Sequence, residues 1–282
     1  MNPTTPHPLP AGPTHPDPQH WDDIFTTTVD NVPIECIRPI DTDRPTWGIY
    51  PPGRYRSHDC LGTLHARDTD GLWHVQATGE RHTTFANAVR TLRRPASWPT
   101  DRAQATAWAR RLLNNPALLL IDIQTTGLHQ PYAVQIAALE PDGTLVLDEL
   151  LNPQADFEPE ASTLHGLTRD NTQHAPLFSD LLPALTQLFH GRHLLAYNIR
   201  YDHDVITREL HRHYNNPAPA HTWLTASHWE DAITPLATWT GLWSTHHHSY
   251  RYPRLSSLYN ATTNCRLLLH RLHQAANNQR PR

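Results

Sequence analysis

The stretch ALLLIDIQTTGL, Ala117 to Leu128, decides the fold. Leu118 to Ile121 form an unbroken apolar run, the pattern of a strand covered on both faces rather than on one. Such a strand carries Asp122 to its carboxyl end, where open α/β sheets collect their chemistry. Working outward, YAVQIAALE (Tyr132–Glu140) and TLVLDELL (Thr144–Leu151) read as two further strands joined by the tight turn Pro141-Asp142-Gly143. Leu181, Leu182, Leu185, Leu188 and Phe189 share one helix face, closed by Gly191. HLLAYN (His193–Asn198) is another buried strand. YDHDVITRELHRH continues from it as a helix, and a last helix starts near Ala261.

Upstream the pattern differs. Met1 to His20 is proline-rich and without periodicity, the composition of a disordered tail. Residues 21–99 suggest a small domain in which CLGTLHA, LWHVQAT and RHTTF are short strands and FANAVRTL a helix, a β-β-β-α unit. A connecting helix over 100–115 follows, capped by Thr100 or Asp101, with Ala105, Trp108, Ala109 and Leu112 on one face. The α/β domain then spans 116–276, and 277–282 is a short tail.

Among 282 residues, 26 prolines against 11 glycines and a hydrophobic fraction of 38% point to long irregular connections around a compact core. The net charge of -4 excludes a globally basic nucleic-acid binder, so phosphate contacts would need a local patch. All basic residues are arginine, which reads as compositional bias. Cys36, Cys60 and Cys265 form no CxxC pair and suit a reducing compartment. No segment has the apolar length of a membrane span, and the N-terminus lacks a signal-peptide pattern, so a soluble cytoplasmic protein is expected.

Asp122 at one strand end and Asp202 just after another would meet in one crevice of a sheet. The segments around them, IDIQTTGL, VQIAAL with its DG turn, NPQADFEPEASTLHGLTRDN, HLLAYNIRYD and NATTNCRLLLHRL, resemble in order and spacing the DnaQ-like (DEDD) 3′–5′ exonucleases. The resemblance covers roughly residues 116–274. It implies a ribonuclease H-like fold, a mixed central sheet flanked by helices. It also implies two divalent ions, Mg2+ or Mn2+, roughly 4 Å apart and held by four carboxylates, one activating water and the other stabilising the leaving oxygen. A histidine would serve as general base.

Carried over by position, Asp122 and Asp202 keep their carboxylates, whereas Gln124 stands for a glutamate, Asn264 for an aspartate and Tyr259 for the histidine. The two amides keep shape and remove charge, and tyrosine, with an ordinary pKa of ~10, is a poor base. The resemblance therefore implies a weak metal site at best, on Asp122 and Asp202. The features that would hold a nucleic-acid 3′ end are better kept: Thr125, Thr126 and Gly127, His165 with Gly166, and Asn198, Arg200 and Tyr201. Arg200 and Arg208 are candidate phosphate contacts. His246, His247, His248, His270 and His273 lie near the third motif, and a base supplied by one of them from a shifted position is the alternative to a solvated loop at 246–248; His203, His211 and His213 read as helix-surface positions.

The N-terminal unit, with Trp73, Arg54, Arg56, Arg67 and Arg81 on or near its strands, faintly resembles AP2-like sheet readers, and a protein-docking role explains the same pattern. Three expectations result: a catalytically degenerate exonuclease-fold protein binding single-stranded DNA or RNA 3′ ends or assembling a complex, a weakly active metal-dependent 3′–5′ exonuclease, or a purely structural subunit.

Overall fold

Asp30 and Asn31 both sit at positive φ, 56° and 59°, the backbone that a two-residue type I′ hairpin requires. They join β1 (Ile24–Val29) to β2 (Val32–Ile37), with Val29 opposite Val32. In this computed structural model, which describes residues 17–39, 45–66, 70–255 and 259–279, β3 (Thr46–Tyr50), β4 (Gly62–Ala66), β5 (Trp73–Val75) and β6 (Arg81–His82) follow. All six pair in sequence order as an antiparallel meander. The sequence pattern points to three strands here; the structure has six, because β1 and β2 turn on an Asp-Asn pair that carries no glycine. The proline-rich segment 1–16 lies outside the described residues, and Pro18–His20 form a single 3-10 turn.

Helix α1 (Phe85–Leu92) is capped by Thr84, whose hydroxyl accepts from the Asn87 amide at 3.2 Å, and it buries Ala88 and Val89. The core beneath it is aromatic. Trp73 lies 5.2 Å from Trp21, 6.0 Å from Trp47 and 5.0 Å from Phe85, ring centre to ring centre, and is 7% exposed. Trp73 is therefore a packing residue, which corrects its reading as part of a free strand face. Arg81 reaches Asp70 at 3.9 Å, Arg54 and Arg56 are exposed in a loop, and Arg67 lies outside the described residues.

The described residues fall into two compact units: those within 17–100 and 240–251, and those within 101–239 and 252–279. The later segment of the first unit is a ribbon of Trp243–Ser244 and Ser249–Tyr250, with the three histidines 246–248 in its turn. Arg251 from this segment reaches Asp30 at 2.8 Å, and Arg90 grips the same carboxylate at 2.9 and 3.0 Å. Arg94 forks onto Glu80 at 2.7 and 2.8 Å, donates to the Gly241 carbonyl at 2.6 Å and lies 3.8 Å from the Trp98 ring centre.

Helix α2 (Trp98–Leu113) starts two residues before the expected cap and leads into the second unit. Its sheet has the order β11-β10-β7-β8-β9, with β7 (Leu118–Thr125), β8 (Ala133–Leu139), β9 (Leu145–Leu150), β10 (His193–Ala196) and β11 (His228–Asp231). The first three strands are antiparallel; β10 runs parallel to β7 and β11. After β9 come α3 (Pro159–His165), the single turn α4 (Arg169–Thr172) and α5 (Phe178–Phe189). Then α6 (Ile199–Tyr214) and α7 (Pro217–Leu224) lead to β11, and α8 (Ile233–Thr240) and α9 (Ala261–Ala276) follow. The alternation of β7 divides the core: Leu119, Ile121 and Ile123 pack with α5, α6 and α7, whereas Leu118 and Leu120 pack with α2, α8 and α9. This is the mixed sheet flanked by helices of a ribonuclease H-like fold. Among the described residues no helix is long and apolar enough to cross a membrane.

Candidate functional site

The period of two along β7 carries past the core. Asp122 and Gln124 continue the row of Leu118 and Leu120 and so point toward α9. Residues two apart on a strand face are close enough to bond, and Gln124 Nε2 donates to Asp122 Oδ2 at 2.6 Å. The position of α9 is fixed by Cys265, buried against the Leu120 and Ala137 carbonyls, and by Gln135 of β8. Gln135 Oε1 accepts from the Ala261 amide at 3.1 Å, and its own amide donates to Asp148 at 2.8 Å. Helix α9 then delivers Asn264, whose Nδ2 lies 3.2 Å from both oxygens of Asp122.

Asp202 arrives from the other side. Pairing of β10 with β7 ends at Leu195 opposite Leu120, which leaves the Ile123 amide without a strand partner. Asp202, 5% exposed in the first turns of α6, accepts that amide through Oδ1 at 3.1 Å. Burial raises the Asp122 carboxyl to about 7, against the amide hydrogen bonds from Asn264 and Gln124. Burial, and then the charge of Asp122, pushes Asp202 well above its ordinary range.

These residues line a cleft of about 870 Å³ built from the second unit, together with Tyr259, Tyr197, Asn198, Glu158, Thr125 and Gly127, whereas the expected Thr126 is buried behind its wall. Gly127 is required by close approach: a Cβ there would lie 2.1 Å from Glu158 Cδ. Glu158 holds the loop beyond it, accepting from the Leu128 and His129 amides at 3.0 and 2.8 Å. Those two amides keep its carboxyl below the usual carboxylate range. The Thr125 and Tyr201 hydroxyls lie 2.6 Å apart, and both reach the Gly127 carbonyl, at 2.9 and 2.6 Å. Thr126 closes the loop by accepting from the Tyr132 amide at 3.1 Å.

His165 has both ring nitrogens engaged by backbone. Nδ1 accepts from the Leu167 amide at 3.0 Å, so Nε2 carries the hydrogen that meets the Thr125 carbonyl at 3.0 Å. Burial lowers its pKa, keeping the ring neutral. It is a brace for the Thr125–Gly127 turn with no nitrogen left to act as a base. Of the expected site residues, Arg200 is exposed on α6 and does not line the cleft; neither does Arg208. Glu158, Tyr252 and Arg254 line it and had no periodic signal to mark them.

The residues present do not fit a pair of divalent ions. The Asp122 carboxylate has its oxygens capped by amide N–H groups, and of the four positions that would supply carboxylates only Asp122 and Asp202 are acids. The unpartnered buried oxygen, Asn264 Oδ1, is a neutral donor. A second cluster, His193, His228 and Glu230, places three ligand atoms within 4.8 Å of one another at the opposite end of β10 and β11. It is held by hydrogen bonds instead. Asn115 Oδ1 accepts the Ala117 amide at 3.0 Å, so its Nδ2 is the group that donates to His193 Nδ1 at 2.9 Å. The His193 hydrogen then sits on Nε2 and points at Glu230 Oε2, 2.6 Å away, which leaves the His193 imidazole no lone pair for a metal.

Residues 119–272, more than half of the chain, match the RNase_T exonuclease family model. An uncharacterized exonuclease, CP81 of Escherichia phage 186, is 32% identical over 89 residues. The match takes in 31% of this chain and 46% of that protein, so the chain spans about half the length of the curated relative. Exonuclease I of E. coli, solved with a dT13 oligonucleotide, aligns over 56% of this chain and 40% of its own at 16% identity and a TM-score of 0.44. Exonuclease X, solved with 5′-overhanging duplex DNA, aligns over 57% of this chain and 91% of its own at 22% identity and a TM-score of 0.40. The chain belongs to the RNase_T exonuclease family, within the DnaQ-like 3′–5′ exonuclease superfamily.

Proposed function

We propose that this chain is a catalytically degenerate exonuclease-fold protein that binds the 3′ end of single-stranded nucleic acid without efficiently cleaving it. One observation carries the reading: the amides of Gln124 and Asn264 close on Asp122, satisfying by hydrogen bonding a carboxylate that would otherwise hold metal. Exonucleases of this family typically use divalent ions, and Tyr259 rather than a histidine stands at the base position. The cleft remains open, and exposed Leu128 and Leu164 stand on its walls as apolar surface for a base. The first unit, whose Trp21, Phe25, Trp47, Trp73 and Phe85 are used in its own core, suits a protein-docking role better than a strand-in-groove reader. The free cysteines fit a reducing, cytoplasmic setting.

The second reading, a weakly active metal-dependent exonuclease, has one observation in its favour. Asp122 and Asp202 are two mutually repelling acids that both hold protons more tightly than usual, and a single cation would relieve them. The test follows Mn2+-dependent degradation of a 3′-labelled single strand by the native chain and by a Gln124→Glu, Asn264→Asp, Tyr259→His variant. We expect tight binding with negligible cleavage by the native chain, and cleavage after restoration. Native turnover comparable to that of the restored variant would overturn the proposal, and absence of strand binding would favour a purely structural subunit.

A further inference from the structure

We infer that residues 252–255 form a strap that holds a single strand in the cleft, Arg254 taking a phosphodiester and Tyr252 stacking on a base; this rests on the strand-binding reading above. The strap is anchored at alternate residues. The Tyr197 hydroxyl, at the end of β10, donates to the Pro253 carbonyl, and Leu255 packs against the core between the sheet and α9. Tyr252 and Arg254 are the neighbours of the Pro253 anchor, and their side chains make none of the anchoring contacts. Tyr252 is 62% exposed and Arg254 is exposed, and both line the cleft.

Charge balance gives Arg254 its assignment. The cleft wall holds four acids, Asp122, Asp202, Glu158 and Glu160, and Arg254 is the only arginine among the described lining residues. It has no ion-pair partner among the described residues. A phosphodiester facing such a wall needs a cation, and where amides cap the Asp122 carboxylate the guanidinium takes that role, with a donor fork that matches two phosphate oxygens. Tyr252 completes a rim with Leu128 and Leu164, which are 76% and 53% exposed, and offers a ring to a base of any identity. Arginine beside an aromatic ring is the pairing that sequence-tolerant single-strand binding uses.

The test is fluorescence anisotropy of a 5′-labelled oligo(dT) in metal-free buffer across a salt series. Arg254→Gln is expected to weaken binding about tenfold and to lower the slope of log K against log salt by about 0.7, the value for one released single-strand phosphate contact. Arg254→Lys should keep that slope. Tyr252→Ala should weaken binding about tenfold at an unchanged slope, and Tyr252→Phe should bind as the native chain does. Arg111→Gln, at an exposed arginine of α2 off the cleft wall, should leave both affinity and slope unchanged. Native-like affinity and slope in both Arg254→Gln and Tyr252→Ala, with the native chain binding well, would overturn the strap and leave the strand-binding reading standing. A native chain that does not bind overturns both.

Discussion

Restoring the two carboxylates in Gln124→Glu, Asn264→Asp should make the second unit less stable in chelator and newly responsive to metal. Gln124 Nε2 donates to Asp122 at 2.6 Å and Asn264 Nδ2 sits 3.2 Å from both of its oxygens. A hydrogen bond to a charged group contributes about 1.5–3 kcal/mol, so losing both costs about 3–6 kcal/mol before the repulsion of acids now facing one another. The acids can relieve that repulsion by retaining protons, and we take about 4 kcal/mol from the hydrogen bonds as the working value. For a unit of this size each kcal/mol moves the midpoint by about 2–4 °C, which gives a drop of about 8–16 °C in EDTA. The assay is thermal unfolding by circular dichroism just above pH 7, where Asp122, with its pKa of about 7, is half or more ionised. With Mn2+ at about a hundred times its dissociation constant, mass action returns about 2.7 kcal/mol, or about 5–11 °C. The native chain should move by less than about 2 °C under the same addition. An equal Mn2+ shift in native and variant would show that the amides do not block the site. A variant that melts with the native chain in EDTA would show that they do not stabilise Asp122.

Three further outcomes are expected. Asp122 is raised from 3.8 to about 7, so its folded form binds a proton more tightly than its unfolded form; its contribution to stability is full below about pH 4 and is lost as pH rises through about 7, and Asp122→Asn should flatten that part of a pH–stability profile. Glu80 has the opposite sign: burial would raise it, but His82 and Arg94 overcome that and hold it at about 2, so its contribution is present above about pH 4.5 and fades toward pH 2, and Glu80→Gln should remove this acid limb in denaturant titrations. Gly127→Ala would press a methyl group to 2.1 Å from Glu158 Cδ; we expect a loss of about 1–3 kcal/mol in melts and weaker oligonucleotide binding.

What was legible in the sequence followed from period and from motif order. The alternation of β7 put Asp122 and Gln124 on one face, and the family resemblance put Asn264 at the same site, whereas the closing of both amides on Asp122 is visible only in the structure. The same reasoning, applied to α6, would have removed Arg200: Ile199, Asp202, Val205, Ile206 and Leu210 mark the buried phase, and Arg200 is turned away from it. His165 was legible as a site residue but not as a brace, because the carbonyl it holds, that of Thr125, lies in a turn forty residues earlier. Strand β11 (HWED) carries no apolar pattern; its ladder with β10 makes it a strand. The strap residues Tyr252 and Arg254 escaped for a similar reason, since a segment outside helix and strand, tied through the Pro253 carbonyl, has no periodicity to read.

The return of residues 240–251 to the first unit makes the two units topologically inseparable by a single cut. A fragment ending near residue 100 would strip Asp30 of Arg251 and Arg94 of the Gly241 carbonyl. Gain or loss of the N-terminal unit by simple end-to-end fusion would therefore leave an incomplete module. The two units have to be inherited, and engineered, as one interrupted piece.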